Sequence, residues 1–127
     1  MKTVAQLKHR IEFNKHRIEF HFNEISKAER KRLFKQNAIL LDLKSYLETN
    51  PTESFITSEK KRIHKIILAK QSQFYHWRTN VIPEYNGFSP DKLSRIFCKE
   101  TGITVLRKQL KNLNFLLNEN QEHPTTR

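Results

Sequence analysis

The first 50 residues of the chain contain neither glycine nor proline. Both residues interrupt regular structure, glycine because its backbone is unusually free and proline because it lacks a backbone N–H. A stretch of this length without either residue favours continuous helix. The whole chain has only two glycines and four prolines, which is little turn material for a β-rich fold. We therefore predict an all-α protein, a bundle of four to five helices.

A seven-residue repeat lies within this stretch, because the letters KHRIEF begin at residue 8 and again at residue 15. A period of seven keeps Ile11 and Ile18 on one side of a helix. Phe13 and Phe20 fall on nearly the opposite side, so the helix is apolar on two sides. We expect neighbouring helices to sandwich it. The alternative is homo-oligomerisation, or pairing with another chain, through the Phe13/Phe20 face.

The next helix is marked by residues that suit its two ends. Ser26 stands three residues before Glu29, in the form of a capping box in which each side chain binds the other's free backbone amide. Asn50-Pro51 ends the helix, because proline cannot continue it. The first two helices then form an N-terminal hairpin over residues 1–50, and residues 51–117 form a helical core.

One long amphipathic helix is predicted to open this core, from a cap at Thr57 or Ser58 to about Thr79. Its apolar stripe is opposed by a cationic side. Residues 80–88 contain Pro83 and Gly87, which indicates a loop or a short hairpin.

The last two helices resemble a helix-turn-helix pair over about residues 89–117. Ser89 and Pro90 suit the start of a helix, and Gly102 suits its end. An amphipathic second helix follows the short turn. The polar tail, residues 118–127, is expected to fray, and the chain is expected to be one folded unit.

The positive charge is concentrated in two blocks, within a formal net charge of +11. Residues 1–35 hold ten basic and four acidic side chains, and residues 60–78 hold six basic and no acidic ones. Residues 36–59, which separate the blocks, hold one basic and four acidic side chains. Basic surfaces attract phosphate backbones through counterion release and long-range steering. We therefore predict a nucleic acid, DNA or RNA, as the partner.

Seven polar residues are the candidates for nucleic-acid contact. Three are cations on the outer side of the third helix, and four lie where a recognition helix turns toward a major groove. They are Lys61, Arg62, Lys65, Thr104, Arg107, Lys108 and Lys111. The six cations are expected to contact phosphates.

Residues 91–104, with the sequence DKLSRIFCKETGIT, resemble the winged-helix segment of the RteC-type regulators of Bacteroidetes conjugative elements. The shared features are a Leu-x-Arg run that leads to Phe97, a lysine, and a short turn before the next helix. Ile96 stands where an aromatic residue is expected, and the similarity covers about a tenth of the chain. The resemblance implies a DNA-binding regulator of mobile DNA.

Metal and catalytic patterns are sparse. His9 with Glu12, and His16 with Glu19, place an imidazole and a carboxylate on one helical flank, but a complete metal site needs ligands from other helices. We therefore predict no metal, no other cofactor and no catalytic residue. Arg10 and His16 approximate the Arg-x4–6-His spacing of the all-helical HEPN ribonucleases, which makes a metal-independent ribonuclease the second alternative.

The remaining composition bears on location. No run approaches the ~18 apolar residues of a spanning helix, and the charged N-terminus does not fit a secretory signal peptide. The single cysteine, Cys98, excludes an internal disulfide framework. We expect a soluble cytoplasmic protein without a membrane partner. Its predicted function is non-enzymatic nucleic-acid binding and regulation, and the first alternative is a helical protein-interaction module.

Overall fold

The computed structural model of the protein describes residues 1–81 and 87–119. The described residues form six helices and no strand, which confirms the all-α prediction. Most of the predicted loop at residues 80–88 and of the predicted tail lies outside them. The helices are α1 (Val4–Phe20), α2 (Lys27–Leu47), α3 (Glu53–Gln71), α4 (Phe74–Val81), α5 (Pro90–Glu100) and α6 (Ile103–Leu116).

The chain divides into two compact units. One comprises Met1–Glu53 with Leu116–Glu119, and the described part of the other lies within Ser54–Phe115. The first unit contains the α1–α2 hairpin that the sequence predicts. The second contains α4, α5 and nearly all of α3 and α6.

The starts of α1 and α2 are fixed by local hydrogen bonds. Thr3 Oγ1 accepts the Gln6 N–H at 3.2 Å, and Gln6 Oε1 accepts the Thr3 N–H at 2.9 Å, which is a full capping box that had not been predicted. Ser26 Oγ accepts the Glu29 N–H at 3.0 Å, which confirms the predicted cap of α2. The Glu29 carboxylate lies instead 3.5 Å from Arg17 Nε and so connects the two helices.

The two helices of the hairpin pair through side chains spaced mainly three and four residues apart. This spacing keeps them on one side of each helix. Those of α1 are Leu7, Ile11, Asn14 and Ile18, and those of α2 are Leu33, Asn37, Leu40, Leu43 and Leu47.

A buried hydrogen bond joins two asparagines within this seam. Asn14 is 1% exposed and Asn37 is 9% exposed. Asn14 Nδ2 donates to Asn37 Oδ1 at 2.8 Å and to Gln36 Oε1 at 2.9 Å, and Asn37 Nδ2 donates to the Ile11 carbonyl at 3.4 Å. A buried amide without a partner costs about 1–3 kcal/mol. The register that brings the two asparagines together is therefore favoured over its neighbours.

The second apolar side of α1 is uncovered in the structure. Phe13 is 56% exposed and Phe20 is 68% exposed, so the expectation that neighbouring helices sandwich α1 is wrong. The reason is geometric. Helix α2 packs on the side that carries Ile11 and Ile18, and one helix cannot cover two opposite sides of another.

Helix α3 begins earlier than predicted, at Glu53. Thr57 and Ser58 therefore lie inside the helix, and the prediction that one of them caps it is wrong. Ile56, in the first turn of α3, is fully buried. We attribute the earlier start to the burial of this side chain, which favours an additional helical turn.

The helix predicted to run to about Thr79 is divided in two, because α3 ends at Gln71 and α4 begins at Phe74. Ser72 Oγ donates to the Ala69 carbonyl at 2.7 Å, a local side-chain bond that competes with the helical ladder. A turn thus interrupts what the apolar periodicity indicates as one helix.

An aromatic cluster forms where the chain turns. The Phe74 ring centroid lies 5.1 Å from that of Phe97, and the Trp77 centroid lies 5.2 Å from it. Phe97 is 3% exposed and packs with Ile63, Ile67 and Ile103 in the core of the second unit. Rings at these separations add to the stability that their buried area provides.

The two ends of α5 match the prediction. Ser89 Oγ accepts the Lys92 N–H at 3.2 Å, and Pro90 occupies the first turn. Gly102 has a φ of +83°, a left-handed conformation that glycine adopts without the penalty a Cβ brings. The chain therefore passes from α5 to α6 in a short turn.

We expect Asn14→Ala to destabilise the protein by about 1–3 kcal/mol, because Asn37 and Gln36 then lose a buried donor. The measurement is urea unfolding followed by circular dichroism. Asn23→Ala, in the exposed connection between α1 and α2, is the control and should change the stability by less than about 0.5 kcal/mol.

A double substitution that replaces both asparagines provides a second test. Asn14→Leu with Asn37→Leu should be neutral or stabilising, because both buried amides are removed together and the half-buried Gln36 can bind water instead. Equal stabilities for Asn14→Ala and Asn23→Ala would show that the buried pair does not stabilise the hairpin.

Candidate nucleic-acid interface

The four candidate residues on α6 share one exposed face. Thr104, Arg107, Lys108 and Lys111 are all exposed, and at 100° per residue they span an arc of about 100°. Another side of α6 packs into the core of the second unit through Ile103, Leu106, Leu110 and Leu113. We call Thr104, Arg107, Lys108 and Lys111 the α6 face.

The charge of the α6 face is not compensated within the described part of the chain. Arg107, Lys108 and Lys111 form no salt bridge with any described carboxylate. Arg107 Nη1 lies 3.6 Å from Cys98 Sγ. Because a thiol is a weak acceptor, this contact orients the guanidinium without neutralising it. The three cations are therefore available to an anionic ligand.

A second basic set lies on α5 and was not among the predicted candidates. Lys92, Arg95 and Lys99 are exposed, and their spacing of three and four residues places them along one side of the helix. Lys92 Nζ lies 4.1 Å from the centroid of the Phe88 ring. The sequence carries the signal for this set in the spacing of the three cations. We call them the α5 stripe.

The α5 stripe and the α6 face belong to one helix pair. The contact between Arg107 and Cys98 brings a cation of α6 to the residue that precedes Lys99 of the stripe. Residues 90–116 carry six basic side chains and only two acidic ones, Asp91 and Glu100. An excess of cations on a single helix pair is the electrostatic pattern expected of a phosphate-binding surface.

The three candidates on α3 differ from one another. Lys61 and Lys65 are exposed and form no salt bridge with a described carboxylate, whereas Arg62 Nη2 lies 2.8 Å from Glu59 Oε1. The hydrogen bond from Arg62, together with its positive charge, holds the pKa of the Glu59 carboxyl below its ordinary value. The same pair raises the pKa of Arg62. Arg62 is thus partly neutralised by its own helix.

The α3 cations lie on the side of α3 that does not pack into the core. Lys61 and Lys65 lie about 120–160° around α3 from Ile63 and Ile67, which pack with Ile103 of α6. The cations of both helices therefore point away from the core that the helices share. The structure brings the four α6 candidates together but does not join them to the α3 candidates.

The residues of the ribonuclease alternative do not converge. Arg10 and His16 lie six residues apart on the uninterrupted helix α1, which separates them by about 120° around the axis and about 9 Å along it. The His16 ring lies instead 4.7 Å from the ring of Phe20.

The described part of the chain contains neither a cluster of potential metal ligands nor a membrane-spanning helix. Within residues 1–81 and 87–119, no three His, Cys, Asp or Glu side chains come close enough together to hold a metal ion. Among the helices of the same residues, none combines the length and apolar character that crossing a membrane requires.

Comparisons with known proteins identify no relative. No protein-family model matches the chain, and neither a curated protein nor a solved structure matches it. The resemblance of residues 91–104 to RteC-type regulators stays a prediction. The functional proposal therefore rests on the chain's own residues.

We expect Arg62→Gln to raise the pKa of Glu59 toward its ordinary value, because the substitution removes both the charge and the hydrogen bonds of the guanidinium. The pKa is measured by an NMR titration of the side-chain carboxyl. Lys61→Gln removes a neighbouring charge and is the control, for which a smaller rise is expected. An unchanged pKa of Glu59 in Arg62→Gln would contradict the pairing.

Proposed function

We propose that the protein is a non-enzymatic nucleic-acid-binding protein that contacts phosphates through α5 and α6. The observation that carries the proposal is the α6 face, whose Thr104, Arg107, Lys108 and Lys111 lie together and exposed without a compensating described carboxylate. Cations that lack a protein partner contribute the most free energy to the binding of a polyanion, since their binding releases its condensed counterions.

The packing of the helix pair supports this use. Phe97 near the end of α5 is 3% exposed, and Ile103 at the start of α6 is fully buried, so both helices are anchored in one core. A helix held from one side presents its other side as a rigid unit, and a major groove about 12 Å wide admits such a helix.

The expected roles of the residues follow from their positions. Thr104 lies in the first turn of α6, where recognition helices commonly contact base edges, and its hydroxyl both donates and accepts hydrogen bonds. The cations of the α6 face and the α5 stripe would contact phosphates, which positions the helix without reading sequence. Lys61 and Lys65 of α3 would provide a separate and weaker phosphate contact, with Arg62 limited by Glu59.

Duplex DNA is the favoured nucleic acid, because a short helix, a glycine turn and an amphipathic helix form a helix-turn-helix type of unit. The finer proposal is that the protein regulates transcription from mobile DNA and acts in the cytoplasm. It is supported by the resemblance of residues 91–104 to RteC-type regulators.

A salt titration tests the proposal. For the wild-type chain and a duplex of about 20 base pairs, the logarithm of the binding constant should fall linearly with the logarithm of salt concentration. Lys108→Glu with Lys111→Glu should reduce the steepness of this dependence by about 2, since each lost phosphate contact removes about 1. Fluorescence anisotropy of the labelled duplex provides the measurement.

The matched control is Lys31→Glu with Lys35→Glu on α2, two exposed positions that change the net charge equally. Its salt dependence should stay close to that of the wild type. An equal reduction of the slope in the two variants would show that the effect depends only on net charge. A wild-type slope near zero would refute phosphate binding. Parallel titrations with single-stranded DNA and with RNA identify the preferred polymer.

A helical interaction module is a second candidate, and the exposure of Phe13 and Phe20 favours it. Large exposed apolar side chains on one face of a helix are typical of protein-interaction surfaces. This candidate uses α1, whereas phosphate binding uses α5 and α6. The same chain can therefore have both functions.

A further inference from the structure

The exposed side of α1 has the spacing of a second coiled-coil seam. His9, Phe13, His16 and Phe20 follow one another at intervals of four, three and four residues, which places all of them on one side of the helix. We call these four residues the outer stripe. The seam toward α2 uses different residues, so formation of the hairpin leaves the outer stripe unoccupied.

All four residues of the outer stripe are exposed. Phe13 is 56% exposed and Phe20 is 68% exposed. The centroid of the His16 ring lies 4.7 Å from that of the Phe20 ring, so these two residues of the stripe are in contact along the helix. Burial of two phenylalanines and two imidazoles against a matching ridge would remove considerable apolar surface from water.

The charges beside the outer stripe determine what fits it. Glu12 and Glu19 each precede a phenylalanine of the stripe and lie along one edge, whereas Arg10 and Arg17 each follow a histidine and lie along the other. Such flanking positions set the partner and the orientation of paired helices. The outer stripe thus has one acidic edge and one basic edge.

Only one orientation of two identical stripes brings opposite charges together. In a parallel, in-register pair, a residue on the acidic edge faces the partner's residue five positions further along. Glu12 then faces the partner's Arg17, and the second such pair follows by symmetry. In an antiparallel pair each edge faces the same edge of the partner, which places like charges together.

We propose that the outer stripe is the homodimerisation surface of this protein, occupied by the outer stripe of a second copy in a parallel, in-register coiled coil. Phe13 and Phe20 pack against the same residues of the partner, and Glu12 of each protomer forms a salt bridge with the partner's Arg17. The repeat allows a slip of seven residues, but that arrangement covers only half of the stripe.

The existing contacts of these charged residues are compatible with the dimer. Glu12 is exposed and forms no salt bridge with any described cation. Glu29 Oε2 lies 3.5 Å from Arg17 Nε and 3.2 Å from Arg32 Nη2. Because a guanidinium has five N–H donors, Arg17 can bind Glu29 and the partner's Glu12 together.

The dimer gives the interaction-module candidate a specific partner, and it does not depend on nucleic-acid binding. Its experiments are done without nucleic acid, so their failure is distinguishable from failure of the phosphate proposal. A monomeric wild-type chain would overturn the dimer and leave the salt titration to be judged separately.

Sedimentation velocity of the full chain is the first test. At about 100 µM the wild type should have twice the 15.3 kDa mass of one chain, with a concentration-dependent approach to that value. Phe13→Glu with Phe20→Glu should return the mass to that of one chain, because four carboxylates would meet in the seam. A wild type that stays monomeric, or a dimer that survives this pair of substitutions, overturns the proposal.

The matched control is Phe34→Glu with Leu41→Glu, two apolar residues of α2 that are 60% and 51% exposed. This variant should remain dimeric. Far-UV circular dichroism shows whether each variant keeps its helices, which exposed positions are expected to tolerate. Equal dissociation of both variants would mean that the outer stripe is not the specific contact surface.

Disulfide trapping tests the orientation. In a Cys98→Ser background, His9→Cys should form a covalent dimer on mild oxidation, because position 9 faces position 9 of the partner only in the parallel, in-register pair. Lys15→Cys, an exposed position outside the stripe, should cross-link at least tenfold more slowly. Equal rates for the two cysteines would overturn the parallel arrangement.

Discussion

The hydrogen bond between Asn14 and Asn37 is the interaction on which the arrangement of the first unit depends. A seam of leucine and isoleucine alone tolerates several registers, since apolar side chains pack without strong directional demands. Two buried amides restrict the helices to the register that pairs them, because a buried amide without a hydrogen bond costs free energy of folding. Because α2 packs on the side of α1 that carries Ile11 and Ile18, the outer stripe on the opposite side stays exposed. Solvent exposure of Phe13 and Phe20 thus follows from the side of α1 that α2 occupies, whereas the asparagine pair fixes the register along that side.

The second unit depends on a different constraint, the burial of Phe97 and Ile103 in one core. These residues lie on either side of the turn at Gly102, so the turn is held between two anchored helices. The cations of α5 and α6 are then confined to the sides of the helices that the core does not use. The cationic surface forms on these sides because the apolar sides of α5 and α6 pack into the core.

The two proposed functions are assigned to different helices. Phosphate binding uses α5 and α6 of the second unit, and dimerisation uses α1 of the first. A dimer has two copies of the α6 face, and DNA sites with two half-sites are commonly bound by two-fold symmetric proteins. If both proposals hold, linking two α6 faces in one dimer would raise the affinity for a polymer that both faces can contact at once.

Features that depend on nearby residues follow directly from the amino-acid sequence. The all-α class, the N-cap at Ser26, the start of α5 at Ser89 and the turn at Gly102 were predictable, because capping bonds and glycine conformations involve neighbours along the chain. The four-residue grouping on α6 was also predictable, since helical spacing fixes which side chains share a face. The α5 stripe is equally visible in the spacing of its lysines and arginine, although the predicted contacts were placed on α3 and α6 alone.

Other features depend on which side chains are buried and paired in the folded chain. The Asn14 position was visible as a polar interruption of a heptad seam, but its role required Asn37, which lies 23 residues away. The earlier start of α3 is associated with the burial of Ile56, which periodicity does not report. The break at Ser72 coincides with a local bond to the Ala69 carbonyl, which apolar periodicity also does not report. The pairing of Arg62 with Glu59, in contrast, is local, because the two residues stand three apart on α3 and that spacing places them side by side. Local propensities specify helices, whereas long-range burial and pairing select which of their faces remain available to a partner.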